Sequence, residues 1–70
     1  MRSVTVTDSS NIAFLEYDPK THYLLVTFTN SDVYAYRNVD NALFGALVSA
    51  DSVGKQFALF KDKHAGRKVS

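Results

Sequence analysis

The strongest constraint in this chain is a pair of short extended runs joined by a turn. Tyr23-Leu24-Leu25-Val26-Thr27-Phe28 is rich in β-branched, aromatic and leucine residues, which suit a pleated, half-buried surface. Thr29-Asn30-Ser31-Asp32 is a cluster of turn formers, and Val33-Tyr34-Ala35-Tyr36-Arg37 is the returning run. The pattern predicts an antiparallel hairpin. Leu24, Val26 and Phe28 share one face and Tyr23, Leu25 and Thr27 the other, because strand side chains alternate. The Leu24 face is the better core. A two- or four-residue loop pairs Phe28 with Val33 and puts Tyr34 and Tyr36 beside Leu25. A three-residue loop pairs Phe28 with Tyr34 and puts both tyrosines on the Leu24 face. The second register is favoured, since its wet face would then hold Val33, Ala35 and Arg37.

The rest of the chain is read outward from this hairpin. Ile12 to Tyr17 is apolar and aromatic and predicts a strand. Asp18-Pro19-Lys20-Thr21 then turns the chain, with proline presetting the backbone. Val4 and Val6 alternate with polar residues, which reads as a short strand or an ordered arm, ended by Asp8-Ser9-Ser10-Asn11. Beyond the hairpin, Asp40 is a natural N-cap for a helix near 40–50. Leu43, Leu47 and Ala50 form its stripe, flanked by Phe44 and Val48. Gly45 weakens that helix and is read as permitting a close approach. Asp51 or Ser52 caps a second helix near 52–61, with Val53, Phe57 and Phe60 on its stripe and Lys55 and Lys61 off it. The following segment has no apolar period and is expected to fray.

The predicted fold is therefore α+β. A three-stranded antiparallel β-meander, with the N-terminal segment as a short extra strand or arm, precedes two short helices. Residues 1–8 form the arm, 9–61 the domain and 62–70 a basic C-terminal tail. The expected core is Ile12, Leu24, Val26, Phe28, Leu43, Leu47, Val53 and Phe57. At 70 residues, 46% of them hydrophobic, the chain carries more apolar surface than so small an interior hides. Open sheet edges invite pairing, so a homodimer is expected.

Several chemistries find no support. There are no cysteines, which removes disulfides and Cys-based zinc sites. The glycines, Gly45, Gly54 and Gly66, are scattered and make no phosphate-cradling loop. His22 and His64 fall short of the three or four ligands of a metal site. No nucleophile elbow or acid–base pair is evident. The expectation is a non-enzyme without cofactor or metal. No apolar run reaches the roughly 18 residues of a membrane span, and the first residues lack a signal-peptide h-region. A cytoplasmic protein with no membrane partner is expected.

Charge is unevenly placed. Residues 1–54 hold three cations against six anions, a net −3, and residues 55–70 hold five against one, a net +4. An acidic partner for the C-terminal end is one reading; a solvated helix terminus is the other, since cations suit helix C-termini. Tyr34 and Tyr36, with Arg37 at the strand end, have the composition of a base-stacking surface, although strand tyrosines commonly half-bury their rings. Ser52 and Lys55 flank a helix start that can hold an anion, or Ser52 simply caps it. The candidate site for nucleic acid or another anion is Tyr34, Tyr36, Arg37, Ser52, Lys55, Lys61, Lys63, Arg67 and Lys68.

The order of motifs resembles the KTSC domain. The matching residues are Ser10-Asn11-Ile12, Tyr17-Asp18-Pro19, Leu24-x-Val26-x-Phe28, Tyr34-x-Tyr36 with Val39 three residues on, and Ala50-x-Ser52-x-Gly54-x-x-Phe57. Asp40 stands where members commonly have proline, and Ala58 where they often have asparagine. The resemblance covers residues 9 to 61. The family takes its name from the C-terminus of some lysyl-tRNA synthetases and occurs mostly as small free-standing bacterial or phage proteins. It implies a small binding domain, with RNA as the suggested ligand. Two functions follow as expectations: an RNA-binding accessory module, or a protein-interaction module of phage or mobile-element origin acting on a host protein.

Overall fold

The computed structural model describes residues 2–70; Met1, the first residue of the expected arm, lies outside them. Five strands form one antiparallel sheet in chain order: β1 (Arg2–Thr5), β2 (Ile12–Asp18), β3 (Tyr23–Phe28), β4 (Val33–Tyr36) and β5 (Arg67–Lys68). Two helices, α1 (Asn41–Val48) and α2 (Val53–Lys63), intervene between β4 and β5. The α+β class is as expected, but the sheet has five strands rather than three. The N-terminal segment is a paired strand, with Val4 facing Leu15. The expected frayed tail is also incorrect: Tyr34 pairs with Lys68 and Ala35 with Arg67. That pairing rests on backbone groups, which leave no apolar period in the sequence.

The β3–β4 hairpin follows the favoured face and corrects the pairing. Val26 faces Tyr34 and Leu24 faces Tyr36, so both tyrosines stand on the Leu24 side. Phe28 does not pair with Tyr34. Its N–H donates to the Asp32 carbonyl at 2.8 Å, around a three-residue turn whose last member, Ser31, has φ 76°. A left-handed third residue is the usual geometry of such loops. In β2 a bulge lies between Ile12 and Phe14. It lets Ile12 and Leu15 both face the core although they are three residues apart, an odd spacing that simple alternation forbids.

The helices lie over the Leu24/Val26 face. Phe44 stacks on Tyr17, ring centroids 4.5 Å apart and 12° between planes. The Arg2 guanidinium sits 4.8 Å from the Phe44 ring centre, a cation–π contact. The Tyr17 hydroxyl donates to the Val39 carbonyl. Tyr17 is fully buried; its phenol is held above the usual value, first by burial and then by the Asp40 charge. Ile12, Leu24, Val26, Leu47, Val53 and Phe57 are buried as expected, joined by Leu15, Tyr17, Tyr36, Val39, Phe44 and Phe60. Phe28 and Leu43 are only half-buried, because α1 turns Phe44 and Leu47 inward and stops before Ala50.

The caps are local. The Asp40 carboxylate accepts from the Leu43 N–H at 2.7 Å, and Ser52, rather than Asp51, accepts from the Lys55 N–H at 3.3 Å. Gly45 serves no close approach, since a Cβ there would meet nothing within 4 Å. Among the described residues no helix is long and apolar enough to cross a membrane.

Candidate functional site

An open groove of about 860 Å³ runs between α2, the β3–β4 turn and the loop after β1. Its apolar floor is Ile12, Phe28, Tyr34 and Phe57, and Lys55 and Lys61 stand on its α2 wall. Tyr34 is placed by register: it follows Val33 on β4, opposite Val26, and its half-buried ring meets Phe28 edge-on at 5.5 Å. Lys55 and Lys61 reach the groove because α2 buries Val53, Phe57 and Phe60, which turns the flanking helical positions outward.

The loop wall was not visible as part of a site in the sequence. Ser9 Oγ accepts from the N–H groups of Asn11 and Ile12, each at 3.1 Å, a local serine turn of the kind expected from its composition. The same hydroxyl lies where a Cβ on Gly54 would come to 2.9 Å, so Gly54 is the glycine that permits a close approach. Asp8 reaches the start of α2 and accepts from the Val53 N–H at 3.4 Å. A helix start attracts negative charge, and here the chain's own carboxylate stands at it. Ser52 and Lys55 therefore flank a helix end already occupied by Asp8 and the Ser52 cap.

The other sequence candidates divide. Tyr36 touches the groove but is 4% exposed, enclosed edge-on by Phe57 and Phe60 at 5.6 and 5.2 Å. Burial, and secondarily Tyr34, raises its phenol above the usual value. Its ring is core and offers no stacking surface. Lys68 lies across from Tyr34 and forms an ion pair with Asp32 at 3.4 Å. Lys63 lines a smaller cavity of about 200 Å³ between the helices, beside Leu59 and His64. Arg37 is exposed just beyond β4, and Arg67, paired with Ala35, belongs to the opposite sheet face. The structure thus brings together Tyr34, Ser52, Lys55 and Lys61, with Tyr36 buried beneath them, and leaves Arg37, Lys63, Arg67 and Lys68 outside the groove lining. Sequence reading missed Phe28 and Phe57 as floor residues, because both carried core signals.

A five-stranded antiparallel meander, backed on one face by a helical pair and grooved beside its second helix, defines a small α+β domain. The chain belongs to the KTSC domain family, whose model matches residues 8–61. It is 39% identical over 57 residues to a protein of Stutzerimonas stutzeri (strain A1501) described as uncharacterized, covering 80% of each chain. The crystal structure of a KTSC domain protein from Yersinia pestis superposes with a TM-score of 0.87 at 30% identity, covering 99% of this chain and 97% of that one. The Tyr-x-Tyr pattern that carried the resemblance has two roles here: Tyr36 fills the core, and Tyr34 floors the groove.

Proposed function

We propose that this protein is a non-catalytic binding module whose groove takes a short stretch of single-stranded nucleic acid, RNA before DNA. One observation carries the reading: the half-buried Tyr34 ring and two exposed lysines, Lys55 and Lys61, line one open groove. An unpaired base fits against the Tyr34–Phe28 floor while its phosphates meet the lysines. Stacking on an aromatic side chain contributes about 1–3 kcal/mol per base. The acids of the groove do not cancel the lysines outright, because Asp32 is paired with Lys68 and Asp8 is turned to the α2 start.

Fluorescence anisotropy with a labelled single-stranded oligoribonucleotide, measured over a range of salt, tests it. Binding should weaken steeply as salt rises, through counterion release. Lys55→Ala with Lys61→Ala should weaken binding and reduce the salt slope by about 2, one per lost phosphate contact. Tyr34→Leu should weaken binding with the slope unchanged. No binding at low salt, or binding indifferent to both changes, overturns the proposal. Salt-insensitive capture of a protein instead would favour the interaction-module reading.

A further inference from the structure

A sheet covered on one side ordinarily turns polar residues outward on the other. Here the helices pack on the Leu24/Val26 face, and the opposite face still carries Phe14, Leu25, Val33, Ala35 and Val69 by register. Val69 is 46% exposed. The register also sets these positions in rows across the sheet. One row reads Glu16, Leu25, Ala35, Arg67 from β2 to β5. The next reads Phe14, Thr27, Val33, with Val69 beside Val33 through a 2.8 Å backbone hydrogen bond.

Across these four strands the first row has an acid on β2, a base on β5 and two apolar residues between, with Ser3 of β1 lying beyond Glu16 at the edge. Such a row is complementary to its own reverse. A two-fold axis lying in the face, parallel to the strands and between β3 and β4, superposes it on that reverse. Glu16 then meets Arg67 of the second copy, and this charge pair occurs twice. Leu25 lies over Ala35 of the second copy, which is only 5% exposed within one chain. The half-buried Leu25, Phe14 and Val33 and the exposed Val69 therefore supply the apolar contact. In the next row Phe14 meets Val69 and Thr27 meets Val33. Glu16 and Arg67 have no ion-pair partner within the described residues, where the one ion pair is Lys68–Asp32. Aligned sheets pack about 10 Å apart with their strands roughly 30° from parallel, and glutamate and arginine side chains are long enough to meet across that twist. We infer that this face docks a second copy of the chain, face to face, in an isologous dimer registered by the Glu16–Arg67 pairs. The dimer leaves the groove open, since the groove lies on the helix side, and it differs from the edge-to-edge pairing that open strands suggest.

The test is sedimentation velocity on the wild-type chain, Glu16→Arg, Arg67→Glu and an equimolar mixture of the two variants. The wild type should dimerise. Each single reversal places like charges opposite each other twice and should weaken self-association by roughly tenfold or more. The mixture should recover, because a heterodimer of the two variants restores opposite charges at both pairs. Circular dichroism establishes that each variant is folded; where a reversal unfolds the chain, Glu16→Gln and Arg67→Gln give the same readout with smaller shifts. A wild type monomeric at millimolar concentration overturns the inference. So does a dimer that the reversals leave intact, or one the mixture fails to restore.

Discussion

Gly66→Ala puts the attachment of β5 to a direct test. A Cβ at Gly66 would lie 2.5 Å from Cε2 and Cζ of Tyr36 and 2.8 Å from its hydroxyl oxygen. That is about 1 Å inside ordinary carbon–carbon contact. Tyr36 has little room to move, being 4% exposed and held between Phe57 and Phe60. Gly66 does not have a positive φ, so alanine suffers no backbone strain and the cost is steric. Either Tyr36 is displaced, an overpacking cost of about 1–3 kcal/mol, or the segment lifts. Lifting loses the Val69 N–H to Val33 and Val33 N–H to Ser70 hydrogen bonds and the Lys68–Asp32 pair. Each backbone bond contributes about 0.5–1.5 kcal/mol, and the exposed ion pair little. The lower entropy of the unfolded alanine chain offsets about 0.4–1 kcal/mol. A net loss of about 1–2 kcal/mol should lower the melting temperature by roughly 5–15 °C in a domain of this size. Thermal melts by circular dichroism measure it, and amide exchange at Val33 and Val69 reports whether β5 has lifted. A variant that melts with or above the wild type, with those amides still protected, would refute the reasoning.

Two further outcomes follow from burial and its absence. Gly45→Ala, at an α1 position where a Cβ meets nothing, should stabilise the protein by about 1 kcal/mol in denaturant titration, and a loss would contradict the open space there. Tyr17 and Tyr36 both have phenols raised above 10.0, so their contribution is fully present below the unfolded value and is lost as pH rises through the folded one. Melting temperature should fall as pH rises beyond 10.0, and Tyr36→Phe should fall less steeply.

What the sequence made legible tracks where the physics is local. β2, β3 and β4 stand out because β-branched and aromatic runs are bounded by strong turn formers, and Asp40 and Ser52 are caps whose partners lie three residues away. The parity of the hairpin is favoured because it puts Tyr34 and Tyr36 on the Leu24 face and leaves Val33, Ala35 and Arg37 on the other, and the register agrees. The bulge that brings Leu15 inward beside Ile12 was not legible, because it depends on the pairing of two strands. The choice of Phe44 over Leu43 depends on Tyr17, a ring from another element. β5 was invisible for the same reason: Arg67 and Lys68 carry no apolar signal. Of the site, the tyrosine and the lysines were legible from composition. Their separation from Arg37, Lys63 and Arg67, and the loop from Asp8 to Asn11 as the opposite wall, required the tertiary arrangement.

The strand order has a kinetic consequence. Each of the first four strands pairs with its neighbour in sequence across a short connection, and such contacts close quickly. β4 and β5 are joined only after both helices, a connection running from Arg37 to Gly66. The surface that receives Gly66 is the Tyr36 ring, which is fixed in place once α2 has delivered Phe57 and Phe60. The last strand is therefore expected to dock after the transition state for folding, on a sheet and helical pair already assembled. In a chevron experiment, Gly66→Ala should leave the refolding limb where it is and raise the unfolding rate by nearly the whole of its equilibrium effect. The closing strand acts as a latch on the folded state, governing how long the domain stays folded rather than how fast it forms.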